Sequence, residues 1–413
     1  MDKGKSYLGT STHNLCLSSP THEFYREMHR LPQELTDYII DFLHDDPDTL
    51  KRASLVSKAW LDCSRHHLFE TLSIKYFKLT DLGPADLATP CKYARRLMFL
   101  WTSDPVKASS MLSNFGESKI HTLVIRSCRV YHFNQLNLRR CFSAFPCTMI
   151  TSLEYRSLFC QPRMFLALTS LFPNLDNLTI AVYRWYESDS SQMDEELVNQ
   201  IIFPSFRGSF KLTSPRGRLS WDYGRTEALY LLACMPIQFH TVSFYVNKNN
   251  LINVSSFLDS CALTVRRIFL DAAQCKLHPP PPQYMVYNIA YSVKTAPDGG
   301  FLVPCVNLEE LHLGDGFFDI PDTFIRCLLD SISSRTLRHL TIELSDRSRA
   351  KIRAVWEALD EALIRLWRRQ EVGGRLTVEF STPLPVGEVQ GHLPRFRDQG
   401  LLYVGCRGRP SCW

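Results

Sequence analysis

The feature that most constrains the fold is a short apolar phrase that recurs along most of the chain. In each copy, two residues separate a first apolar residue from a second, and one residue separates the second from a third. Apolar residues that alternate over so few positions are typical of a short strand with one buried face. The ten copies are Phe69/Leu72/Ile74, Ala94/Leu97/Phe99, Ile120/Leu123/Ile125, Ile150/Leu153/Tyr155, Leu175/Leu178/Ile180, Phe239/Val242/Phe244, Val265/Ile268/Leu270, Leu308/Leu311/Leu313, Leu337/Leu340/Ile342 and, weakly, Gly373/Leu376/Val378.

The spacing of these copies indicates a repeat architecture. The first four intervals between central residues are 25, 26, 30 and 25, and the later ones are 64, 26, 43, 29 and 36. A leucine-rich repeat has about 20–29 residues and contributes one short strand, so the short intervals match that period. The copy that begins at Ile120 also has Cys128 and Val130 at the positions of the full repeat consensus. Because the other copies lack this extension, we predict an irregular leucine-rich-repeat-like solenoid of the α/β class.

The long intervals indicate insertions into the repeat region. Residues 183–223 are rich in Ser, Asp, Arg and Gly, and residues 275–304 contain four consecutive prolines, which cannot donate to a strand ladder. Residues 1–28 are polar without an apolar period, and we predict a flexible arm there. The repeat region is expected to cover residues 71–413. It includes an amphipathic helix marked by Ile352, Val355, Leu359, Leu363 and Leu366, with Gly373 as a possible stop signal.

Residues 29–70 have a helical rather than a strand period. Pro32 suits the first position of a helix, where its missing N–H has no partner. The apolar residues that follow at i, i+4, i+7 and i+8 share one helix face, and they are Leu35, Ile39, Phe42 and Leu43. Asp46 is then the expected N-cap of a second helical stretch that has Pro47 in its first turn.

The apolar residues of that second stretch are too widely spread for one buried face. They are Leu50, Ala53, Leu55, Val56, Trp60 and Leu61. Such a helical segment is either packed on two sides, or packed on one side and available to a partner on the other.

The same segment resembles the F-box. The matching residues are Leu31-Pro-Gln-Glu-Leu35, Ile39, Leu43, Leu50, Leu55-Val56-Ser57-Lys58 and Trp60, and residues 31–74 as a whole are similar to fungal F-box-like proteins. The resemblance implies three short helices that dock onto the Skp adaptor and, through it, onto a cullin. Carried over by position, the docking residues would be Leu31, Pro32, Leu35, Ile39, Leu43, Leu55, Val56 and Trp60.

The resemblance further implies a non-catalytic role for the chain. It would be the substrate-recognition subunit of a Skp–cullin–F-box ubiquitin ligase, and its repeat region would hold an unknown protein substrate. Aromatic residues of the first insertion either contact that substrate or pack the insertion onto the repeats, and the sequence favours neither reading. They are Trp185, Tyr186, Trp221 and Tyr223.

Two alternatives stay open. The chain could be a repeat-type interaction scaffold whose helical segment caps the repeats and enters no ligase. It could also be a DNA-associated protein, because Arg407-Gly408-Arg409-Pro410 is similar to the core of a minor-groove-binding AT-hook and the helix over residues 347–369 is basic. Residues 401–404 fit a closing strand, however, and we expect no nucleic-acid partner.

Other classes of function have little support in the sequence. The nucleophile elbow, the zinc-protease motif, the phosphate loop and the dinucleotide-binding glycine motif do not occur. The fourteen cysteines form no C-x-x-C pair, so we expect reduced thiols and neither metal nor cofactor. The longest apolar run, residues 228–237, is too short to span a bilayer. We therefore expect no membrane contact and a location in the cytosol or nucleus.

Overall fold

The structure of the chain is a computed structural model. The described residues are 31–74, 90–101, 105–116, 118–127, 135–160, 162–185, 206–212, 229, 232, 238–246, 251–272, 300–314, 322–344, 352–370, 376–382, 384–399 and 402–403. The chain divides into two compact units, one over residues 1–69 and the other over residues 70–413. The predicted arm over residues 1–28 lies outside the described residues.

The described part of the first unit contains three helices: α1 over Gln33–Phe42, α2 over Pro47–Ala53 and α3 over Lys58–Glu70. Its small core consists of Ile40, Leu50 and Ala53, with Leu43, Trp60, Cys63 and Leu68 packed against it. The capping prediction for α2 is confirmed, because the Asp46 carboxylate accepts hydrogen bonds from the backbone N–H groups of Asp48 and Thr49.

The prediction for the start of α1 was wrong by one residue. Pro32 has an extended ψ of 144° and is therefore the N-cap residue, not the first helical residue. Its carbonyl accepts hydrogen bonds from the backbone N–H groups of Leu35 and Thr36. A proline serves in this place because an N-cap residue needs a free carbonyl and no N–H donor.

The second unit is built on one parallel sheet. Its twelve described strands follow one another in chain order, and each pairs only with its sequence neighbours. They are β1 Thr71–Ile74, β2 Arg96–Trp101, β3 Thr122–Ser127, β4 Ser152–Cys160, β5 Asn177–Trp185, β6 Ser209–Leu212, β7 Thr241–Val246, β8 Arg267–Ala272, β9 Glu310–Leu313, β10 His339–Glu343, β11 Thr377–Ser381 and β12 Leu402–Tyr403.

Helices connect many of these strands. They are α4 Pro105–Ser113, α5 Gln135–Cys141, α6 Pro162–Thr169, α7 Leu251–Cys261, α8 Asp322–Asp330, α9 Ile352–Gln370, α10 Val386–His392 and α11 Pro394–Asp398, with a 3-10 turn at Cys147–Met149. The predicted α/β class is confirmed, and so is the amphipathic helix, now α9. A strand within residues 401–404 is also confirmed, as β12 over Leu402–Tyr403.

The apolar phrase produces the sheet because its last two residues point to one side of a strand. Leu123 and Ile125 of β3 are fully buried, as are Leu97 of β2 and Leu153 of β4, with which Leu123 is in register. Successive residues of a strand face opposite sides and residues two apart share a side, so each copy adds two side chains to one continuous core. Apolar residues of the helices, such as Leu112 and Leu138, complete that core.

A backbone carbonyl just before several of the strands aligns that strand with the next. The His121 carbonyl accepts hydrogen bonds from the N–H groups of both Thr151 and Ser152, each at 3.0 Å. The same double acceptance recurs one repeat later at the carbonyl of Thr151, and again at His240 and Arg266. These carbonyls precede their strands at equivalent positions, so the bonds fix the register from which the sheet grows.

The prediction that residues 183–223 are an insertion was wrong in part. Ser209–Leu212 form β6, which lies between β5 and β7 in the sheet, and its residues Phe210 and Leu212 are buried. The phrase is disguised by one additional residue, since buried Phe206 precedes Phe210 by four positions where the other copies have three. Parts of this stretch, and most of 275–304, lie outside the described residues.

The tenth copy of the phrase was placed two residues too early. Val378 and Phe380 of β11, not Leu376 and Val378, are in register with Leu340 and Ile342 of β10. The error left the buried face unchanged, because a shift of two residues along a strand keeps the same side. Leu376 is also buried, just before the strand.

Gly208 lies directly before β6 at the position equivalent to His121, because its carbonyl accepts hydrogen bonds from the backbone N–H groups of His240 and Thr241. A Cβ atom on Gly208 would lie 2.6 Å from Asn177 Oδ1 and 2.9 Å from the Asp176 carbonyl oxygen. We expect Gly208→Ala to lower the free energy of unfolding by about 1–3 kcal/mol, because the backbone must shift to relieve this overlap. Urea unfolding of the full chain measures the effect.

Gly387 in α10 is the matched control, because a Cβ atom there meets no atom within 4 Å. Gly387→Ala should leave stability unchanged or raise it by up to about 1 kcal/mol through helix propensity. Equal losses of stability in the two variants would contradict the close approach at Gly208.

Candidate functional site

Helix α1 carries an apolar stripe that faces away from the core of the first unit. Leu35 is 50% exposed, Tyr38 72%, Ile39 36% and Phe42 81%. These residues are spaced i, i+3, i+4 and i+7, so they lie on one side of the helix. Leu31, just before the helix, is also about half exposed. Clustered apolar exposure of this kind marks an interaction surface more often than scattered exposed residues do.

Polar contacts with α3 fix the rotation of α1. The Cys63 thiol donates a hydrogen bond to the Asp37 carboxylate, which also accepts one from the Gln33 amide at 2.7 Å. Burial, and secondarily the bond to Asp37, raises the pKa of the Cys63 thiol to about 11, so the thiol keeps its proton as the donor. The pKa of Asp37 is lowered mainly by the hydrogen bond from Cys63 and secondarily by the hydrogen bond from Gln33.

A second contact lies two helical turns from Gln33. The ring nitrogen Nε2 of His67 is 2.7 Å from Asp41 Oδ1. Since Gln33, Asp37 and Asp41 are spaced by four residues, they form one polar edge of α1. Thr36 and Ile40 form a buried edge, and the apolar stripe therefore remains on the outside.

A second group of exposed apolar side chains lies in the turn between α2 and α3. Leu55 is 85% and Val56 65% exposed, whereas Leu50 and Ala53 of α2 are buried. Leu50 and Ala53 share one face of α2 because they are spaced i, i+3, and this face is turned to the core. The helix ends at Ala53, before Leu55. This segment is thus packed on one side and open on the other.

The eight predicted docking residues fall into two groups. Six are exposed, namely Leu31, Pro32, Leu35, Ile39, Leu55 and Val56. Leu43 and Trp60 are only partly exposed and pack against the small core, so they support the surface more than they form it. Tyr38 and Phe42 were missing from the predicted set, although their spacing from Leu35 places them on the same stripe.

Two arginines near the end of the basic helix proposed for DNA contact are engaged within the second unit. Arg365 of α9 forms two hydrogen bonds to the carboxylate of Asp330 in α8, both at 3.0 Å. Arg369 donates to the backbone carbonyls of Leu329 and Asp330. These arginines tie α9 to the end of α8. The segment Arg407–Pro410 lies outside the described residues.

Several other candidate features fall partly or wholly outside the description. The aromatic residues Tyr186, Trp221 and Tyr223 are not among the described residues, and neither is the side chain of Trp185. Within the described ranges, no three His, Cys, Asp or Glu side chains are grouped as ligands for a metal ion. Likewise, the described helices include none that is both long enough and apolar enough to cross a bilayer.

Comparison with known proteins adds no assignment to these surfaces. No protein-family model matches the chain. A search of curated proteins found no match either.

Proposed function

We propose that the chain is the substrate-recognition subunit of a Skp–cullin–F-box ubiquitin ligase, with the first unit as an F-box and the second as a leucine-rich-repeat-like solenoid. The observation that carries this proposal is the exposed apolar surface of the first unit. It coincides with the residues that resemble the F-box, and it would be covered by the Skp adaptor.

The energetics support a partner on this surface. Complete burial of a Leu, Ile or Phe side chain is favourable by about 1.5–3 kcal/mol. Five residues, Leu35, Ile39, Phe42, Leu55 and Val56, are all at least a third exposed. Their burial by an adaptor would offset much of the entropic cost of association. The contacts of Asp37 and Asp41 with α3 hold the stripe in place beforehand, which lowers that cost further.

No catalytic chemistry is needed for the proposed role. A ligase adaptor holds a substrate lysine close to a charged ubiquitin carrier, so the rate rises through effective concentration. The long parallel sheet of the second unit would provide the extended surface that repeat proteins use for protein partners.

Co-elution with a purified Skp adaptor tests the proposal. The full chain should form a 1:1 complex in size-exclusion chromatography, and Leu31→Ala combined with Pro32→Ala should weaken that complex. The control removes two exposed apolar side chains from the second unit, Leu263→Ala and Val306→Ala, and should leave the complex intact. A wild-type chain that does not co-elute with the adaptor would favour a scaffold outside any ligase.

A further inference from the structure

The second unit exposes a sheet face that lies opposite its buried core. We call it the open face and define it by the strand residues in register with Arg96, Met98 and Leu100 of β2. Its residues alternate along each strand with the core residues, so their side chains leave the sheet on the other side. Among them, Arg126, Lys211 and Asp271 are exposed, whereas the smaller side chains of Val124 and Ala181 are buried.

The half of this face formed by β2–β6 is basic. Among its described residues, four side chains are basic and one is acidic, which gives a net charge of +3. The basic residues are Arg96, Arg126, Arg156 and Lys211, and the acidic residue is Glu154. Glu154 contacts both Arg96, at 2.7 Å, and Arg156. Arg126 and Lys211 have no ion-pair partner within the described part of the chain.

The half formed by β8–β11 has the opposite charge. Among its described residues, four side chains are acidic and one is basic, which gives a net charge of −3 with histidine neutral. The acidic residues are Asp271, Glu310, Glu343 and Glu379, and the basic residue is Arg267. Arg267 lies 3.4 Å from Glu310, and Glu343 lies 3.2 Å from His312. Charge is therefore segregated along the sheet.

The strip between the two halves is uncharged and partly apolar. Strand β7 contributes Thr241 and Ser243, and the neighbouring Phe269 is 37% exposed with its ring 5.4 Å from that of His312. A cavity of about 560 Å³ opens at the beginning of β5–β9. It is lined by polar residues that include Ser209, Thr241 and Arg267.

We propose that the open face binds an extended polypeptide segment with one acidic and one basic cluster, separated by about eight residues. The acidic cluster would lie over β2–β6 and the basic cluster over β8–β11. Five to six strand spacings of about 4.8 Å separate the centres of the two halves, which is roughly 25–30 Å, and an extended chain advances about 3.4 Å per residue. A residue in the middle of the segment would lie beside Phe269 and the cavity.

Charge complementarity favours this partner over a nucleic acid. A polyanion would be attracted to β2–β6 but repelled by the acidic half, whereas a charge-segregated segment is attracted at both ends. The inference rests on the proposed function in that the segment would belong to the ubiquitin ligase substrate. The binding surface itself can nevertheless be tested without the adaptor.

Fluorescence anisotropy with the full chain tests the inference. The probe is a labelled synthetic peptide with a run of glutamates, a spacer of about eight residues that contains one leucine, and a run of lysines. Its comparison is a peptide of identical composition in which glutamate and lysine alternate. At low ionic strength the segregated peptide should bind at least about tenfold more tightly, since several pairs contribute together.

Two double variants locate the binding. Arg126→Glu with Lys211→Glu should weaken binding of the segregated peptide about tenfold or more. Arg139→Glu with Arg140→Glu changes the net charge equally on exposed residues of α5 and should alter the affinity less than about twofold.

Three outcomes would overturn the inference: equal affinity for both peptides, no binding of either, or tighter binding of a single-stranded oligonucleotide that depends on Arg126 and Lys211. Because the open-face variant should still co-elute with the Skp adaptor, failure of this inference is distinguishable from failure of the ligase assignment.

Discussion

Aspartate at both Leu35 and Ile39 is expected to lower the affinity for the Skp adaptor at least about a thousandfold. Each residue lies on the exposed stripe of α1, and in a complex each carboxylate would be buried without a partner. The loss of two interface hot spots costs at least about 4 kcal/mol, which corresponds to roughly three powers of ten in Kd. Isothermal titration of the adaptor into the full-length variant measures the change.

Folding controls accompany this variant. Because Leu35 is half exposed and Ile39 about a third exposed, aspartate in either place disturbs few core contacts, and the helix content measured by circular dichroism should stay unchanged. Leu263→Asp with Val306→Asp introduces the same charges at exposed apolar positions of the second unit, and it should bind the adaptor like the wild type. An affinity loss in both double variants would show that the effect is not specific to the stripe.

Replacement of Phe257 by alanine is expected to cause the largest loss of stability, about 3–5 kcal/mol. Phe257 of α7 is fully buried, and its ring lies 4.7 Å from that of Phe210, 5.3 Å from Phe244 and 6.3 Å from Phe239. These rings come from consecutive copies of the repeat. A cavity among them would therefore weaken the interface on which neighbouring repeats depend.

Phe269→Ala provides the comparison. Because Phe269 is partly exposed on the open face, its replacement should lower the free energy of unfolding by less than about 1 kcal/mol. Urea unfolding followed by circular dichroism gives both values, with one transition fitted for each unit. If the two variants were equally stable, the ring cluster could not be the tightly packed centre that the structure describes.

The course of the sheet was predictable because strand periodicity is local. Leu123 and Ile125 reveal a buried face within three residues, and the position of a strand in a sequential parallel sheet then follows from chain order. Strand β6 was missed because Phe206 precedes Phe210 by one residue more than the phrase allows. Gly208, in the longer segment between these two residues, closely approaches Asp176 and Asn177, which are some thirty residues away in sequence.

The orientation of the candidate docking surface was harder to predict. Two sides of α1 carry apolar residues, one with Leu35, Ile39 and Phe42 and the other with Ile40, so periodicity alone could not show which of the two is buried. The choice is fixed by contacts of Asp37 with Cys63 and of Asp41 with His67, each across 26 residues. The predicted docking residues therefore followed from the resemblance alone, and Tyr38 and Phe42 were not among them.

Hydrogen exchange of the full chain, with and without a stoichiometric Skp adaptor, is the most direct test of the central claim. We expect the adaptor to slow amide exchange in α1 and in the turn that contains Leu55 and Val56, while the strands of the second unit exchange at unchanged rates. Unchanged exchange throughout the first unit, under conditions where the adaptor binds an established F-box, would contradict the assignment of this surface to a ubiquitin ligase.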